Sequence, residues 1–145
     1  MDLDLFSASP ILMPILVLVI WTFIQMAWMV VTRLPAISAA GLPPEAGQRT
    51  GELAEKLPKA IQWKADNYNH LHEQPTLFYA VAIVAAVAGA GEGLNLYLAW
   101  GYVVLRVVHS IIQSTSNNVP VRFGVFALAS LALLIMAGNT LTTLL

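Results

Sequence analysis

Arg106 lies in an apolar run, residues 94–112, where an arginine at mid-membrane costs about 2.5–3.5 kcal/mol to insert, so its presence calls for a reason other than solvation. His109 and Gln113 follow it at i+3 and i+7, and Tyr102 precedes it by one turn, which puts all four on one stripe of a single helix. A second stripe, Gln62, Asp66, Asn69 and Glu73, has spacings of four, three and four. It ends where another apolar run begins, so the amide Asn69 and the acid Glu73 sit at a membrane edge. Arg122 stands at the edge of the STSNNVP loop and Arg33 at the end of the first apolar run. Acid and amide facing cations make a site of both signs, suited to a small zwitterionic or polyanionic ligand.

Metal chemistry is not expected. His70, His72 and Glu73 are clustered, but residues two apart on a helix point to different faces and the HExxH spacing is absent. The glycines at 89, 91 and 93 follow no strand, so they read as turn residues and not as a phosphate cradle. With no cysteine, disulfides, thiolate metal sites and a cysteine nucleophile are excluded. A net charge of −1 lacks the basic stripe that nucleic acid requires.

The elements that must position these residues are membrane helices. Residues AVILMFWYC make up 58% of the 145-residue chain and DEKR only 10%, against about a quarter charged in a soluble domain. The expected fold is an all-α bundle of four transmembrane helices in one domain, 1–145, with spans at about 11–32, 74–91, 94–112 and 121–143. The first run is preceded by Asp2 and Asp4 rather than by a basic signal-peptide region, so it is expected to remain attached. Of seven Lys and Arg residues, Arg33, Arg49, Lys56, Lys59 and Lys64 fall in the loop 33–72, which the positive-inside rule makes cytosolic. That loop reads as a Pro/Gly/Ala-rich stretch, 35–51, followed by a helix beginning near Pro58, so the second span projects beyond the bilayer. The tryptophans fit interfacial belts.

Two motifs, NHLHEQP at 69–75 and RVVHSIIQSTSNNVPVR at 106–122, resemble the MAPEG family, the membrane-associated proteins of eicosanoid and glutathione metabolism. The second is similar to the microsomal prostaglandin E synthase branch at Arg106, Val107, His109 and Arg122; that branch has tyrosine where Gln113 stands and serine where Phe123 stands. In the first motif, Asn69 and Pro75 match, while the family's acidic position holds His72 and the acid is Glu73. The resemblance implies a homotrimer that binds glutathione as co-substrate at its cytosolic end and meets lipophilic small molecules from the surrounding lipids. By the same resemblance, Arg33, Arg106 and His109 hold carboxylates or pair with acids, and Asn69 and Glu73 hold the amino end. Gln113 supplies a hydrogen bond, and Arg122 is the catalytic residue that stabilises the thiolate.

The implied activity is glutathione-dependent transfer to, or peroxidase action on, a hydrophobic substrate. The alternatives are a non-catalytic lipid-binding or scaffold member and a small multidrug or ion transporter. The transporter is disfavoured because no acid lies inside a span. An integral, multi-pass location is expected, with a bacterial inner membrane favoured over endoplasmic reticulum because no C-terminal retention signal is present.

Overall fold

The computed structural model describes residues 8–145; Asp2 and Asp4 lie outside the described residues. Those residues form α1 (Leu12–Ala39), a 3-10 turn (Pro44–Gly47), α2 (Thr50–Lys56), α3 (Lys59–His70), α4 (Pro75–Val87), α5 (Gly93–Ser114) and α6 (Val119–Leu144), with no strand among them. Three helices, α1, α5 and α6, are long and apolar enough to cross a membrane. The second expected span is divided. Its apolar part, α4, has 13 residues and is about 20 Å long at roughly 1.5 Å per residue, while its polar part is α3.

Pro75 causes the division. It has no N–H to donate and occupies the first position of α4, where that lack costs least. The residues before it keep right-handed backbone at Leu71 and Gln74 but use short-range bonds, His72 N–H to Asn69 O at 2.9 Å and Glu73 N–H to His70 O at 3.3 Å. The helix is thus interrupted without reversing, and the His70 carbonyl is left open to a second donor.

The loop expected to start at residue 33 starts later. α1 runs through Arg33 and Pro35 to Ala39, because an interior proline removes one ladder bond and its allowed φ is still helical. Within the loop, the stretch expected to be irregular contains the 3-10 turn and α2, whose Leu53 is buried. α3 begins at Lys59, one residue past the expected Pro58, which caps it.

The bundle has two chemically distinct ends. At one, Gly89 (φ 71°) and Gly93 (φ 56°) adopt the left-handed backbone that glycine tolerates, and the 89–93 turn packs against Ser9 and Ile11. There Asn95 donates to Ala90 O (2.9 Å) and Thr140 Oγ1 (3.2 Å), and Asn139 donates to Asn95 Oδ1 (3.0 Å), joining α5 to α6. At the other end Arg33 donates to Gln62 Oε1 (3.2 Å), and Lys64 donates to Ser114 O (3.4 Å) and stands 5.2 Å from the Trp28 ring. Between them runs an apolar core that includes Leu18, Phe78, Ala99, Val103 and Met136. One buried polar clasp crosses three helices: Asn67 Nδ2 of α3 and Ser114 Oγ of α5 both donate to Gln25 Oε1 of α1, at 2.9 and 3.5 Å.

Candidate functional site

The basic end of the bundle contains an open cavity of about 480 Å³ between α3, α5 and α6, within the size range of small-molecule sites, about 300–1,000 Å³. Five of the sequence-selected residues line it: Asn69 and Glu73 from the α3 end, His109 and Gln113 from α5, and Arg122 from α6. The i, i+4 spacing of His109 and Gln113 places them one turn apart on the buried face of α5, where they are 2% and 6% exposed. Gln113 Oε1 and His109 Nδ1 have no hydrogen-bond partner among the described residues, although both atoms are buried. Buried polar atoms are nearly always satisfied, so these two are unusual features of the cavity wall.

Arg122 is aimed by its loop. Asn117 takes a positive φ (48°), and its N–H donates to Ile112 O at 2.7 Å, closing the end of α5. Asn118 then caps α6, its Oδ1 accepting from Val121 N–H at 3.2 Å. Asn117 Oδ1 accepts from Arg122 Nη1 at 2.5 Å, which fixes the guanidinium against the cavity wall.

Two selected residues stand elsewhere. Arg106 is fully buried and does not line the cavity. Its Nη2 donates to the freed His70 carbonyl at 3.2 Å, and its Nε and Nη1 have no partner among the described residues. Glu73 does not pair with Arg106: its Oε2 meets His70 Nδ1 at 2.6 Å. Arg33 lies on the other side of α3, at a separate cavity of about 490 Å³ between α1, α2 and α3. Gln62 links it onward, its Nε2 donating to Asp66 Oδ1 at 2.8 Å, and Asp66 and Asn69 line both cavities.

Sequence reasoning missed His70, Phe126 and the part played by Asp66. The ring of His70 lies 5.0 Å from that of His109 and 5.7 Å from that of Phe126, so α3, α5 and α6 each contribute a ring to the cavity floor. The available signal was the i, i+3 spacing of His70 and Glu73, which puts an imidazole and a carboxylate on one helix face.

The family that the two motifs resemble is decided by a family model: that of the MAPEG family matches residues 11–142. The chain belongs to the MAPEG family. No match was found among curated proteins or among solved structures. The match covers the MAPEG family as a whole and singles out no branch. Membership together with three long apolar helices makes this a membrane-embedded MAPEG protein.

Proposed function

We propose that the protein binds glutathione in the cavity between α3, α5 and α6 and directs its thiolate at a lipophilic electrophile or peroxide drawn from the bilayer. The observation that carries this reading is the convergence of Asp66, Asn69 and Glu73 with Arg122 around one open cavity containing the unpartnered Gln113 and His109 atoms. Glutathione has an ammonium, two carboxylates and a thiol, and needs both signs. Asp66 and Asn69 receive the amino end. Gln113 and His109 hydrogen-bond the peptide, and Arg122 stands by the sulfur. Arg106 adds positive charge from beneath the floor, where low dielectric lengthens its reach. A thiol titrates near pH 8.5, and a fixed cation in a partly dry site favours the thiolate, the attacking species.

In this reading α3 and α4 act as one span, the fourth, with α3 beyond the bilayer on the cytosolic side, and three copies assemble as a homotrimer. Arg33 serves the adjoining cavity. The test is calorimetry and ultraviolet thiolate absorbance on purified protein with millimolar glutathione. Wild type is expected to bind and to show thiolate at neutral pH, and Arg122→Ala to lose the thiolate signal. Neither heat nor thiolate in wild type would reject the function.

One observation favours a non-catalytic, lipid-binding role: Phe123 is 65% exposed and lines the cavity, an apolar side chain beside Arg122. That role predicts co-purified lipid whose retention is untouched by Arg122→Ala.

A further inference from the structure

The proposed function leaves open where the thiol proton goes. Arg122 can stabilise a thiolate but has no lone pair to accept a proton at physiological pH. Among the cavity residues, His70 is the one built to accept it. Its Nδ1 is 2.6 Å from Glu73 Oε2, and since an ionised carboxylate can only accept, the shared proton sits on Nδ1. Nε2 is then the basic nitrogen, and its hydrogen-bond capacity is unused among the described residues. The ring is held by His109 and Phe126, and its backbone by Arg106 Nη2 at the His70 carbonyl. The side chain is 23% exposed, open enough to meet a ligand in the cavity it lines. His109 lines the same cavity, but no carboxylate among the described residues orients it.

We propose that His70, oriented by Glu73, is the general base for glutathione, an assignment that rests on the glutathione reading above. The S–H bond breaks, its proton moves to His70 Nε2, and the electron pair stays on sulfur as a thiolate beside Arg122. The imidazolium is stabilised by Glu73, a positioning residue. When the thiolate attacks a peroxide or epoxide, His70 returns the proton to the alkoxide that forms; when the acceptor is an aryl chloride, chloride leaves and the proton passes to water, and in both cases the neutral ring is restored. The charged and titratable groups around His70 are Asp66 and Glu73 on its own element and at the break, Arg106 and His109 on α5, and Arg122 on α6.

The experiment compares wild type, His70→Gln and Glu73→Gln as full-length protein, measuring S-methylglutathione binding by calorimetry and conjugation of glutathione to chlorodinitrobenzene across pH. S-methylglutathione has no thiol proton, so His70→Gln is expected to bind it as wild type does. Conjugation at neutral pH is expected to fall about 100-fold in His70→Gln, with the acid limb of its profile moving toward the free-thiol value of about 8.5. Glu73→Gln should lose about tenfold. Free imidazole should restore His70→Gly, a response that a merely structural role does not produce. Normal binding with an unchanged pH profile in His70→Gln would overturn the base and leave the glutathione site standing. Failure of wild type to bind would overturn the proposed function, and the base with it.

Discussion

Arg106 shows how a residue selected for one reason can act in another way. The insertion cost of an arginine marked it as functional, and its stripe pointed to a ligand contact. In the fold it sits under the cavity floor, donates to the carbonyl left open by the Pro75 break, and keeps two nitrogens without partners among the described residues. A buried cation so poorly repaid is not there for stability, and replacing such groups with apolar ones of similar size is often neutral or stabilising by about 1–4 kcal/mol. Loss of the bond to His70 O offsets about 1 kcal/mol of this, and Glu73 N–H still serves that oxygen. Arg106→Met is therefore expected to leave the unfolding temperature in detergent unchanged or raised while weakening glutathione binding about tenfold, or 1.4 kcal/mol. A large drop in melting temperature with affinity intact would reverse that assignment. That Asn69 and Glu73, and likewise His109 and Gln113, turn toward one cavity was legible from their spacing, whereas the placing of Arg122 beside them was not, because it comes from another helix.

At the scale of elements, Pro75 and the 89–93 turn have the largest effects. A proline near the start of an apolar run was visible in the sequence, but the freed carbonyl and its capture by an arginine 36 positions away depend on how α5 lies against α3. The glycine turn was likewise legible, whereas the close approach at Gly91 was not. A Cβ there would overlap Ser9 Oγ and come within 2.9 Å of Ile11 Cγ2, while one at Gly101, inside α5, would meet nothing within 4 Å. Gly91→Ala is accordingly expected to destabilise by about 1–3 kcal/mol through overpacking. Gly101→Ala should be neutral, or stabilise the protomer by about 0.5–1 kcal/mol through helix propensity. Thermal unfolding of the two variants side by side checks the contrast, and equal effects would contradict the packing of the N-terminal segment on the turn.

For the whole molecule, the distribution of buried surface argues for further burial by lipid or by other copies. α1 buries only Pro14, Leu18 and Gln25 within the protomer, and Phe23, Leu34, Phe123 and Leu134 are each 60% exposed or more. Hydrocarbon accepts such faces, and helix contacts between copies compete with lipid through packing. The proposed homotrimer is tested by native mass spectrometry from nanodiscs. Three copies are expected, and a monomer retaining full glutathione affinity would remove the need for assembly.

Composition and periodicity by themselves determined that this is an all-helical membrane protein and which polar residues share a face, because both follow from local hydropathy and the helical repeat. The MAPEG motifs were readable from residue identity and spacing, although both cross helix ends, the first at the α3–α4 interruption and the second at the loop between α5 and α6. Only the tertiary structure decided that Glu73 pairs with His70 instead of Arg106, that Arg106 is covered, and that Arg33 faces a different cavity. Those outcomes depend on the rotation and depth of one helix against another, and short-range spacing does not encode either.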